Sequence, residues 1–134
     1  MKQHLLKKLM LLDAALLLLL GLLFLFIPHR VEVAFGFGNL PEGASYIIGL
    51  WGCVLATLGL GYTAASMDPL RHLIWAQMAI ARGALECVFG VVCLARGIVT
   101  FQQAAFGIFV AALLTVAYLV CYPRKQPVAA PQPA

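Results

Sequence analysis

The stretch MAIARGALECVFG (78–90) places Arg82 and Glu86 four residues apart inside a long apolar run. On a helix that spacing puts both side chains on one face. A third ionisable residue, Asp13, interrupts another apolar run, LMLLDAALLLLL. An acid or a base far from water has two chemistries open to it: it pairs with an opposite charge, or it exchanges a proton. Arg before Glu at this spacing is the weaker order for a local pair, so Arg82 needs a further partner. The residue types therefore predict an intramembrane polar triad of Asp13, Arg82 and Glu86, with Arg82 in the middle.

The other reactive residue types are dispersed. Cys53, Cys87, Cys93 and Cys121 form no C-x-x-C pair, and they read as small apolar packing residues. The histidines are His4, His29 and His72. Haem ligation would need two of them on facing helices at similar depth, and the order of the apolar runs sets His29 on the opposite side from the other two. The pattern holds no metal-ligand cluster, no Ser-His-Asp order and no phosphate-binding loop. No catalytic residue, metal or cofactor is expected from it.

The elements that must position the triad follow from composition. Of the 134 residues 63% are hydrophobic and 10% charged. Water-soluble domains carry about a quarter charged residues, so this chain lacks the polar surface to cover a globule in water. A helix crossing the ~30 Å hydrocarbon layer needs about 20 mostly apolar residues. Four runs qualify, at about 9–27, 45–66, 73–95 and 104–122. Strands of a membrane barrel would alternate instead. The expected fold is all-α, an integral membrane four-helix bundle in one domain (1–122). A Pro/Ala-rich tail (123–134), with four of the seven prolines, is expected to be disordered. The first run has a basic start, but FIPHRVEVA is a poor cleavage context, so it reads as a retained helix.

Between the runs, Pro28 ends the first helix and residues 28–44 form one substantial loop. Asn39, Pro41 and Glu42 resemble the start of the second helix. Met67-Asp68-Pro69 is a tight turn in which Asp68 caps a third helix beginning at Pro69. So short a turn predicts that the second and third spans are antiparallel neighbours. Lys2, Lys7, Lys8, Arg71, Arg124 and Lys125 fall on one side, and Arg30 and Arg96 on the other. Six against two places both termini in the cytoplasm. Tyr62, Trp75, Tyr118 and Tyr122 lie near the inner boundary, as an aromatic belt would. The net charge of +4 then meets anionic headgroups, and no nucleic-acid recognition pattern is present.

Packing is written in small residues. Gly49, Cys53, Thr57, Gly61 and Ala65 recur every fourth position of the second span, and Gly52, Ala56 and Gly59 widen that face. Lipid gives helices no hydrophobic reason to associate, so close backbone approach replaces it. Gly107, Ala111 and Thr115 repeat the pattern in the fourth span. In the third, Trp75, Ala79, Arg82, Glu86, Gly90 and Cys93 share an arc expected to face the interior, while Ile80, Ala84, Val88 and Val91 face away. Gln77 fits neither arc. Arg82 lies ~13 Å into this span at 1.5 Å per residue, close in depth to Asp13. Two carboxylates and one cation leave one negative charge in excess, and Glu86, the deeper acid, is the group expected to take up a proton.

LLLGLLFLFIP, then YIIGLWGCVLATLGLGYTAASMDPLR, then a third helix with internal charge, resembles small bacterial four-helix membrane proteins, the DoxX-like and BphX-like groups. The likeness is one of hydropathy and spacing over roughly residues 10–122. It implies a multi-pass four-helix bundle in a bacterial inner membrane. DoxX-type proteins are associated with quinone-linked oxidation, but no residue here carries that role across. A short echo, RVEVAF (30–35) and RGIVTF (96–101), is either a duplication mark or chance.

Three functions fit: an accessory or structural subunit of a membrane complex, a small carrier of protons or apolar solutes that uses the triad, or a quinone-linked redox component. The partners expected are the bilayer and a membrane protein or a second copy of the chain, not nucleic acid.

Overall fold

The computed structural model describes residues 2–37, 41 and 43–123. The start signal read at Asn39 and Glu42 and the tail from residue 124 onward lie outside them. Every regular element described is helical: α1 (Lys2–Phe26), α2 (Pro28–Ala34), α3 (Ala44–Ala65), α4 (Leu73–Ala95) and α5 (Phe101–Cys121). Four of these, all but α2, are long and apolar enough to cross a membrane.

Helix α1 begins seven residues before the apolar run was expected to. Its first turns are held by packing, since Leu6 and Met10 are fully buried. It ends at Phe26, ahead of Pro28. The expected loop after it is partly helical. Pro28 occupies the first position of α2, where its missing N–H costs nothing. A helix of 7 residues is too short to persist alone, so contacts must hold it. Buried Glu32 accepts a hydrogen bond from the Ser45 hydroxyl (2.8 Å) at the start of α3, and His29 lies 3.5 Å from the same carboxylate. Gly36 and Gly97 close α2 and α4 with φ of 79° and 68°. Behind each, the next residue's N–H reaches back to the last turn (Phe37 to Glu32, 2.8 Å; Ile98 to Cys93, 3.0 Å).

The third span starts later than Pro69. Asp68 does receive a backbone N–H, from Arg71 at 3.3 Å, but it caps only one turn. The His72 ring bonds back to the Asp68 carbonyl (3.0 Å), and the His72 backbone (φ −110°, ψ 36°) breaks the run before Leu73. The fourth span starts earlier than residue 104. Thr100 and Gln103 form a reciprocal capping box, with the Thr100 N–H donating to Gln103 Oε1 at 2.9 Å. The Gln103 amide also donates to the Gly36 carbonyl (2.9 Å), tying α5 to the turn after α2. Thr100→Ala is expected to lower stability by about 1 kcal/mol. Gln103→Ala is expected to lower it further, because it loses the cross-link as well; thermal unfolding in detergent ranks the two.

The closest helix pairs are α1 with α3 and α4 with α5, and α1 also touches α5. The expected close pairing of α3 with α4 is not found. At their joined end the rings of Tyr62 and Trp75 meet edge-on at 5.2 Å, with Trp75 lying against Gly61, and this bulk keeps the two backbones apart.

The α1–α3 contact is backbone against backbone. A Cβ on Gly21 would lie 2.6 Å from the Ala56 nitrogen, and one on Gly52 would lie 2.7 Å from the Gly21 carbonyl oxygen. Gly59 meets Leu18 and Ala14 in the same way. This seam runs along Gly52, Ala56 and Gly59. Of the stripe expected to lead, Gly61 lies against Trp75 and Ala65 is buried, but Cys53 and Thr57 are exposed and a Cβ on Gly49 would touch nothing. The contact is turned because α1 offers its own close approach at Gly21, and α3 presents the residues that complement it. In the second pair, Gly83 lies against Thr115 and Ala111, and Gly90 against Ile108. The continuous core sits at one end, where Leu6, Met10, Ala14 and Leu17 of α1 meet Tyr62, Ala76, Ala79 and Tyr118.

Candidate functional site

All four long helices send a side chain to one point in that core. Asp13 is 1% exposed, although it is an acid in the middle of a leucine-rich helix. From α4, Arg82 Nη2 donates to both oxygens of Asp13, at 2.8 and 3.1 Å. From α5, the Tyr118 hydroxyl donates to Asp13 Oδ2 at 3.1 Å. From α3, the Tyr62 ring lies under the guanidinium, 5.5 Å from centroid to Cζ. A cation over an aromatic face is attracted by the ring quadrupole, more strongly where water is excluded. A charged donor, a phenol and an aromatic face thus surround one carboxylate, as a buried charge requires.

Arg82 lies between the two acids, but it treats them unequally. Its Nε is 3.6 Å from Glu86 Oε1, which is an ion pair but too long for a hydrogen bond. Nε and Nη1 are buried without a hydrogen-bond partner among the described residues. The Glu86 side chain is 54% exposed, so the arc expected to face inward opens outward at this residue. The buried stripe of α4 is Ala76, Ala79, Gly83 and Cys93: Ala76 and Ala79 enter the core, and Gly83 meets α5 at Thr115 and Ala111. Glu86 stands at its edge, on a groove of about 300 Å³ shared with Phe89, Gly90, Ala104, Gly107 and Ile108. Ile80, expected to face away, is half-buried against the core, whereas Ala84, Val88 and Val91 are exposed.

Two site residues were not anticipated. Tyr62 and Tyr118 are 1% and 0% exposed, so they belong to the interior rather than to an interfacial belt. A buried tyrosine brings a hydroxyl that needs a partner; for Tyr118 that partner is Asp13, whereas Tyr62 meets Arg82 with its ring. Gln77 also finds its place across a helix pair, its amide donating to the Tyr122 hydroxyl at 2.6 Å. Cys93 and Cys121 are buried, Cys87 is half-buried with its thiol 3.7 Å from the Ile108 carbonyl, and Cys53 is exposed. The echo hexapeptides adopt different shapes: Arg30–Ala34 is helical in α2, whereas Arg96–Thr100 is the turn before α5.

Tyr118→Phe removes one hydrogen bond to an ionised group and is expected to cost about 1.5 kcal/mol. Because Arg82 still covers Asp13, the protein should fold, with a lowered unfolding midpoint in detergent.

The arrangement can hold four helices in register around a charge, and it leaves a second carboxylate facing outward one turn away along α4. No protein-family model, curated protein or solved structure matches the chain.

Proposed function

We propose that the chain is a four-helix bundle of a bacterial inner membrane, with both termini cytoplasmic, serving as an accessory or structural subunit of a membrane complex. The DoxX-like and BphX-like likeness belongs to this reading. The observation that carries it is the outward carboxylate of Glu86. It sits ~20 Å along α4 from Leu73 and ~14 Å from Ala95, on a surface otherwise lined by Phe89, Val88 and Leu85. A charge at that depth is costly against lipid, so the face suits a protein neighbour. The interior supports the same reading, since the Asp13–Arg82 pair lies in close-packed core and ties α1 to α4. The basic residues near Lys7, Lys8 and Arg71 support the cytoplasmic placement of that end.

The test is purification of the tagged chain from its native membrane in mild detergent, followed by native mass spectrometry. A reproducible partner in fixed ratio is the expected result; a lone chain or a homo-oligomer overturns the reading. A second reading is favoured by the groove beside Glu86: a small proton-linked or apolar-solute carrier using Asp13, Arg82 and Glu86. It requires that Glu86→Gln abolish a transport phenotype while leaving partner capture unchanged.

A further inference from the structure

We infer that the α4–α5 face centred on Glu86 docks a transmembrane helix of another protein, and that this helix carries a lysine or arginine to the depth of Glu86. The inference rests on the accessory-subunit reading and names the surface and the chemistry of the partner.

The charge balance comes first. Two carboxylates face one guanidinium, and both strong hydrogen bonds from Arg82 go to Asp13. Glu86 is left with a 3.6 Å contact and more than half of its side chain uncovered. Ionised, Glu86 makes the local excess negative and sets it on the outside; without a cation beside it, the proton uptake expected of a deep acid is the alternative. A complementary surface must therefore be cationic at that depth.

The long helices of a second copy offer no free cation at that depth among the described residues. Among the described residues of the long helices, the cations are Lys2, Lys7 and Lys8 near the start of α1, and Arg82. Arg82 is committed to Asp13 and 20% exposed. A symmetric pairing through this face would set carboxylate against carboxylate, which is unfavourable.

The shape comes next. Gly83 and Gly90 spend their missing side chains on α5, meeting Thr115 and Ile108. Gly107 does not, since a Cβ there would meet nothing within 4 Å. Its bare backbone borders the same groove as Glu86. Open small residues on an outer helix face allow another helix to approach closely. Gly107 thus offers the contact and Glu86 the charge, within one groove.

The experiment uses the full chain in its native membrane, with a photo-reactive benzoylphenylalanine replacing exposed Phe89. The expected result is an adduct to a different protein. Its cross-linked peptide should hold a lysine or arginine flanked by apolar residues. Adduct yield should fall about tenfold in Glu86→Gln and in Gly107→Leu. It should return when Glu86→Lys is paired with an acidic substitution at the partner's basic residue. A Cβ at Gly107 meets nothing within 4 Å, so Gly107→Leu is expected to fold, and it decides the question even if Glu86→Gln fails to accumulate. Adducts to lipid or to a second copy alone, or yields unchanged in Gly107→Leu, overturn the inference. A partner that co-purifies but cross-links only from Trp51 on α3 overturns this surface and leaves the accessory reading standing. Absence of any partner overturns both.

Discussion

Asp13→Asn is expected to destabilise the folded chain by about 3 kcal/mol, roughly a hundredfold in the folding equilibrium. Asparagine keeps the shape of the side chain and can still accept from the Tyr118 hydroxyl. What disappears is the countercharge for an arginine whose side chain is four-fifths buried. Glu86 is a poor replacement, because it reaches only Nε, at 3.6 Å. Arg82→Gln should also destabilise, since it leaves Asp13 charged and 1% exposed. The double variant Asp13→Asn with Arg82→Gln removes both charges together and should recover much of the loss. A buried pair is costly to break and far less costly to replace as a whole. Unfolding in mixed micelles, compared across the two single variants and the double, measures the coupling. Additive losses would show that the pair is not the link between α1 and α4.

The second large effect is expected at the α1–α3 seam. Gly21→Ala drives a methyl to 2.6 Å from the Ala56 nitrogen and 2.9 Å from the Gly52 carbonyl oxygen. Both are backbone atoms, so no side chain can swing aside and the helices must separate. Gly52→Ala repeats the clash from the other side, against the Gly21 oxygen and the Leu25 nitrogen. Each is expected to cost about 2–3 kcal/mol, near the upper end for overpacking. Gly49→Ala is the control, because its Cβ would meet nothing. It should be neutral or gain up to ~1 kcal/mol from helix propensity. Equal losses at Gly21 and Gly49 would rule out the seam as the cause.

These two sites also mark what could be read from the amino acids. Helix length and depth are properties along one dimension, and apolar run length carries them. That is why spans near 45–66 and 73–95 correspond closely to α3 and α4. It is also why depth alone brought Asp13 and Arg82 together. Rotation about a helix axis is different, because it is set by the partner. The α3 seam runs through Gly52 and Gly59 rather than through Cys53 and Thr57 because Gly21 lies opposite. A single helix carries no record of that choice. Tyr62 and Tyr118 illustrate the same limit. Near a span's end a tyrosine reads as interfacial, and only its rotation toward Asp13 makes it part of the site. Helix α2 was hidden for another reason: it is too short to show a period, and what holds it is Ser45, thirteen residues away. The Thr100–Gln103 box is legible in TFQQ, as a Ser/Thr-x-x-Glu/Gln start, and apolar run length alone does not carry it.

The sequence distances in the core carry a consequence for biosynthesis. Asp13 is made on the first apolar helix, but Arg82 follows 69 residues later and Tyr118 follows 105 residues later. At ~5–20 residues per second, the acid waits several seconds for its cation. In that interval the first helix has its contacts with α2 and the glycine seam with α3, and the seam involves no charge. A nascent chain that stops before α4 therefore carries an unanswered acid in its first helix. Synthesis of α4 is registered chemically, by the arrival of one arginine.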